Sequence, residues 1–316
     1  MRLMTDGETY EGVCDGIPEA ARIADAPDGG GGIQASDGRG RRLPTKVVGE
    51  AWSWGHVPFG LGDPMELLGG DRLAGGNVAA RLGFEWNAEF LAAVDAACRR
   101  QVRSGRSWFH MDPCALVGPQ GSGRTHVARR LAWEAGVPHV PIDVSGGNGL
   151  WSLGSGARGP TPARPSQIAL TIAHTGCANP VVDVSGIDTA DAESITRLAV
   201  AMDPMRGSLD DEAIEAVIDL SEVTWLIQIA PEGDLPAALR DIAPPIALTL
   251  PVGAEMLELA WIEALTEVAA DRGLIGACDR LADWMSGRSG SWCRDMVAAE
   301  RHLLAVSAFD EVYGPV

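Results

Sequence analysis

A chain of 316 residues, 46% apolar and 22% charged, has the length and balance of roughly two globular domains with a sizeable core. It contains no apolar run of about 18 residues, so no membrane-spanning helix is expected, and the opening MRLMTDGETYEG lacks the apolar core of a secretory signal, which points to the cytoplasm. The net charge of −18, from 43 acidic against 25 basic residues, repels phosphate backbones and argues against nucleic-acid binding.

In chain order, residues 1–85 read as an N-terminal extension, partly disordered. Residues 1 to 60 look poorly ordered because DAPDGGGGIQASDGRGRR carries four consecutive glycines and little to bury. Short apolar pieces around Met65, Leu67 and Leu68 are too few to make a domain. Over 87–103 the pattern becomes helical, with Phe90, Leu91, Val94 and Ala97 at three- and four-residue spacing and Gly105 as the stop.

An alternation typical of a parallel α/β domain follows, over 86–251 with its leading helix. Strands are expected at 114–117, 139–144, 180–184, 224–229 and 246–250. Helices are expected at 124–135, stopped by Gly136, at 166–174 and at 191–202. A Gly/Pro-rich loop covers 145–165. From 252 to 316 the strands stop, and helical stretches at 254–272, 278–285 and 292–307 form a small all-helical lid domain.

The six cysteines (Cys14, Cys98, Cys114, Cys177, Cys278, Cys293) contain no C-x-x-C pair, and the six histidines are equally dispersed. Neither set has metal-ligand spacing, and the thiols read as reduced core residues.

The sharpest motif is GPQGSGRT: Gly118, Pro119, Gln120, Gly121, Ser122, Gly123, Arg124 and Thr125. It fits the phosphate-loop pattern G-x-x-x-x-G-K-[ST] except that Arg124 stands where lysine belongs. Glycines let consecutive backbone N–H groups wrap phosphates, and the following helix aims its positive end at the same place. The Thr125 hydroxyl is the expected Mg²⁺ ligand. Arg124 keeps the charge and can fork onto phosphate oxygens, but it is longer and planar where lysine is a compact point charge.

With these residues in view, the segment 114–297 resembles the ATPase module of Lon-like AAA+ proteins. Three stretches carry the likeness: LVGPQGSGRT; ANPVVDVSGID, similar to A-N-P-V-V-L-I-D-E-I-D; and DLSEVTWLIQIAPEGDLPAALRDI, similar to D-L-S-x-V-x-x-I-A-T-A-N-x-L-D-x-L-P-A-P-L-R-D-R. The resemblance implies a five-stranded parallel P-loop NTPase sheet with flanking helices, followed by a helical lid, and binding of ATP or ADP with Mg²⁺. No Lon-type protease domain is expected, since the chain ends at Val316.

Laid on that pattern, the hydrolytic positions are replaced one after another. Ser185 and Gly186 stand where the family has the metal-shell aspartate and the water-polarising glutamate. The polar sensor falls at Ala230 and the arginine finger at Ile242, with Arg240 two residues earlier. Arg294 in GSWCRDM matches the second sensor of the lid. Asp183 is the possible substitute acid, since it shares a strand face with Ser185, but it lies about 6.6 Å further from the carboxyl end. Asp188 matches the family's third, structural acid. An arginine finger is worth roughly 10³–10⁵ in rate, and a general base about 10²–10⁴, so efficient hydrolysis by this chain alone is not expected.

The loop after the second strand, which grips polypeptide in AAA+ rings, carries only Trp151 as an aromatic, and a flexible loop with one packed tryptophan fits it better than a translocation loop. His126, beside Thr125, reads as a helix-surface residue. Three functions remain open: a pseudo-ATPase that binds ATP or ADP and acts as a regulatory or assembly subunit with another AAA+ protein or a protein client; a slow, genuine ATPase using Arg124, Thr125, Asp183 and Arg294; and a nucleotide-free scaffold. Ser185→Asp with Gly186→Glu is expected to restore the missing acids.

Overall fold

The structure, a computed structural model, describes residues 43–252 except 54–55, 76–77, 83–84, 121, 147–148, 150–151, 155–162, 232 and 251. These residues fall within one of the chain's two compact units. Short strands β1 (Thr45–Val47), β2 (Gly49–Ala51) and β3 (Pro64–Glu66) precede helices α1 (Gly70–Gly75), α2 (Val78–Arg81) and α3 (Ala88–Ser104). The central layer then alternates through β4 (Cys114–Val117), α4 (Arg124–Ala135), β5 (His139–Asp143), α5 (Gln167–Thr175), β6 (Val181–Ser185) and α6 (Ala192–Ala201). A hairpin of β7 (Ser208–Asp211) and β8 (Ala216–Asp219) comes before β9 (Thr224–Ile229), α7 (Ala237–Arg240) and β10 (Pro245–Ala247).

Five strands form an all-parallel sheet in the order β10-β4-β9-β6-β5. Parallel strands covered by helices on both faces read as continuous apolar runs; β4 (CALV) does, and β6 (VVDVS) and β9 (TWLIQI) do apart from Asp183, Ser185, Thr224 and Gln228. On one face Ala115, Val140, Ile142, Val182, Val184, Trp225 and Ile227 pack with Ile168 and Ile172 of α5 and Leu198 of α6. On the other, Cys114, Leu116, Val181 and Leu226 pack with Val127, Ala128 and Leu131 of α4 and Phe90 and Val94 of α3. Helices α5 and α6 begin at conventional caps: Ser166 Oγ accepts from the Ala169 N–H, and the Asp191 carboxylate accepts from the Ser194 N–H. Among the described residues no helix is long and apolar enough to cross a membrane.

The expected strands and helices of the sheet are present, most within a residue or two of their expected ends; the last strand, expected over 246–250, is β10 at Pro245–Ala247. The N-terminal segment departs from expectation. Residues 43–60, expected to be poorly ordered, supply β1, which pairs antiparallel with β3, and β2, which joins β8 and β7 in a second, three-stranded antiparallel sheet. Val48, Val57, Leu61, Met65 and Leu67 enter the same core as the parallel sheet. Their partners are far away in the chain. Lys46 Nζ donates to Asp219 and Ser221, and buried Asn179 clasps the Leu68 N–H and carbonyl and the Phe109 carbonyl. The helices expected at 254–272, 278–285 and 292–307 lie outside the described residues, as do Gly121, Trp151 and Arg294.

Candidate functional site

The glycine loop leaves β4 at the carboxyl end of the parallel sheet, the end where ligands bind in open α/β sheets. The Gly118 N–H donates to the Ile229 carbonyl, so the loop starts pinned to β9. Gly118 is required by packing alone: a Cβ there would lie 2.5 Å from Ser122 Oγ and 2.8 Å from the Leu248 carbonyl. Gly123, at φ 84°, is the N-cap of the twelve-residue helix α4 and offers no side chain to its first turn. The leading N–H groups of a helix have no intrahelical partners, so an uncapped start leaves donors pointing at the loop. Ser122 is 3% exposed and its hydroxyl has no hydrogen-bond partner among the described residues. Arg124 is half-buried and Thr125 exposed at the start of α4.

Below the loop lies a polar chain on the α4 face of the sheet. Asp183 is 2% exposed. Both its carboxylate oxygens accept from the Gln228 amide nitrogen, at 2.8 and 2.7 Å. The same nitrogen donates to Thr125 Oγ1 at 2.9 Å, and the Thr125 hydroxyl faces Gln228 Oε1 at 3.2 Å. His139 Nε2 stands 3.7 Å from the Asp183 carboxylate. The register explains the meeting. Asp183 pairs with Leu226 in the parallel ladder, so Gln228, two residues on, shares its face one step nearer the carboxyl end. Asp183 therefore lies deep, as its distance from the strand end implied.

The positions that the resemblance assigns to hydrolysis hold no acid. Ser185 Oγ donates to the Ile142 carbonyl. Gly186 has φ 78°, and a Cβ on it would press on Asp143 Oδ1 and stand 2.7 Å from Ser145 Cβ and Ser145 N. The expected repair by Gly186→Glu is thus opposed sterically: the backbone has taken a left-handed turn that L side chains resist. Ala230 supplies only its carbonyl, which accepts from the Gly233 N–H. Ile242 packs against the core rather than reaching outward. Arg240 is exposed, its guanidinium donating to the Leu235 carbonyl of its own turn. A Cβ on Gly233 would press on Asp188 Oδ1, so the short helix after β6 lies close against the loop after β9.

The donor set does not fit Mg²⁺. That ion takes near-ideal octahedral geometry, keeps several waters, and is held through one or two carboxylates besides substrate phosphates. Here the Thr125 hydroxyl is engaged by an amide, the Asp183 carboxylate is buried and occupied by the same amide, and residues 185 and 186 add no carboxylate. Gln228 and His139 were not anticipated as site residues. Gln228 had a signal: it is the one polar residue after Thr224 in TWLIQI, and a polar group in such a strand has to find a partner.

The chain matches no family model and no curated protein.

Proposed function

We propose that the chain is a nucleotide-binding protein of the AAA+ type, Lon-like in its ATPase module, that takes ATP or ADP at residues 118–125 and acts as a regulatory or assembly subunit rather than as an efficient ATPase. One observation carries the reading. A glycine loop at the carboxyl end of a parallel sheet runs into an uncapped helix N-terminus, with a buried Ser122 hydroxyl beside it that has no partner among the described residues. Backbone N–H groups, that hydroxyl and the Arg124 guanidinium are the donors a pyrophosphate requires. The absence of acids at 185 and 186, the apolar Ala230 and the packed Ile242 support weak or no turnover. Such a subunit neither fires its own site nor completes a neighbour's, so its place is in an assembly with another AAA+ protein.

Thermal unfolding of the full chain with ADP or ATP tests the binding. Ligand at 100 times its dissociation constant stabilises the fold by about 2.7 kcal/mol. The Arg124→Glu variant is expected to lose most of that shift. An unchanged midpoint at millimolar nucleotide would favour the nucleotide-free scaffold instead. Rapid phosphate release by the unmodified chain, abolished by Asp183→Asn, would restore the slow-ATPase reading.

A further inference from the structure

β9 reads TWLIQI, and Gln228 is its one half-buried position. The amide nitrogen of that residue carries two hydrogens and meets three oxygens: both of Asp183 and the hydroxyl of Thr125. One hydrogen spans the buried carboxylate while the other points to the first-turn hydroxyl. A cation seated between a phosphate-loop threonine and a buried acid would be contacted by these same oxygens. The amide therefore places a fixed partial positive charge where such a cation would act, and it is covalently part of the sheet.

The geometry points to a nucleotide site that works without a divalent cation, the Gln228 amide taking the cation's place between Thr125 and Asp183. This rests on the reading of residues 118–125 as a phosphate loop and concerns what that loop needs besides the nucleotide. Admitting Mg²⁺ at Thr125 would break the hydroxyl's contacts with Gln228 and draw the amide from Asp183, which at 2% exposure has no water to turn to. It would gain little in return, since Ser185 and Gly186 bring no carboxylate to hold the ion's water shell. Phosphate charge is instead met by Arg124, by the Ser122 hydroxyl and by the α4 N-terminus. Arginine at the lysine position is consistent with this, because its fork binds phosphate oxygens in two places without help from a metal.

Titration calorimetry of ADP into the full chain, in excess EDTA and in millimolar Mg²⁺, tests the inference. The two dissociation constants are expected to agree within about threefold, a small difference against the tenfold per 1.4 kcal/mol scale of affinity. Gln228→Thr keeps a strand-forming residue and a hydroxyl donor but withdraws the amide from both partners, and its ADP binding is expected to become Mg²⁺-dependent. If that variant does not fold, the comparison on the unmodified chain decides by itself. Loss of more than about tenfold in affinity on chelation would overturn the cation-free site while leaving the phosphate loop standing. Gln228→Thr binding that ignores Mg²⁺ would overturn the role of Gln228. No ADP binding in either buffer would overturn the phosphate-loop reading, and this inference with it.

Discussion

Gly186 stands where the resemblance places the water-polarising glutamate, and putting that acid back asks whether the position could ever serve as a catalytic base in this fold. Its φ of 78° lies in the left-handed region, which costs a non-glycine residue about 1–3 kcal/mol. A Cβ there presses on Asp143 Oδ1 and meets Ser145 N and Ser145 Cβ at 2.7 Å. Those atoms cannot simply step aside. The Ser145 N–H and Oγ are held by the Asp143 carboxylate at 2.8 and 2.9 Å, closing the turn after β5. Opening that turn forfeits two hydrogen bonds of about 0.5–1.5 kcal/mol each. Gly186→Glu is thus expected to destabilise by about 3–5 kcal/mol, a large part of the about 5–15 kcal/mol available to a whole domain. Gly186→Ala should cost nearly as much, because the damage begins at Cβ. Urea unfolding followed by tryptophan fluorescence, to which fully buried Trp225 contributes, gives both values. A Gly186→Ala midpoint that stays within about 0.5 kcal/mol of the parent would refute the steric argument and reopen position 186 to an acid.

Two further predictions concern the N-terminal segment. Asn179→Ala removes the clasp on the Leu68 N–H and carbonyl and on the Phe109 carbonyl; stranding these backbone groups is expected to cost about 3 kcal/mol or more, with earlier proteolytic cleavage in the segment before α3, and an unchanged urea midpoint would show that the clasp is dispensable. Burial by itself would raise the Asp219 carboxyl, but the Ser221 N–H and hydroxyl and the Lys46 ammonium outweigh it and hold the group below the usual carboxylate range. A folded value below the unfolded one means that this contribution is fully present above about pH 4 and is lost as pH falls through the depressed value. Lys46→Met should therefore flatten the acid limb of the stability curve, by under about 1 kcal/mol because the pair is partly exposed; urea midpoints measured down the acid limb check it, and an unaltered limb would count against the pairing.

How far the sequence carried depends on the range of the physics. The limits of β4, α4 and β9 match expectation because they rest on local signals: short apolar runs for strands covered on both faces, a three- and four-residue apolar stripe for α4, and Gly136 at its end. The place of the glycine loop between β4 and α4 was legible for the same reason. The β7–β8 hairpin left a weaker trace, since its alternation in SLDD and AVID is interrupted by acids, one of which, Asp211, is buried and serves the Ser166 N–H.

Local sequence pattern set an α/β chain, the order of its strands, the glycine loop, and the serine and glycine at 185 and 186. What surrounds those positions came from the tertiary structure alone. It turned the glycine-poor part of the N-terminal segment into core, because Asn179 and Asp219 wait for it more than a hundred residues further along the chain. It set Gln228 beside Asp183 and Thr125, a meeting fixed by parallel register between strands that are distant in sequence. It also gave Gly186 a left-handed backbone filled by the neighbouring turn, so that a missing side chain became a position with no room for one. Local pattern follows from which residues are neighbours in the chain, whereas the chemistry of this site follows from which become neighbours across the sheet.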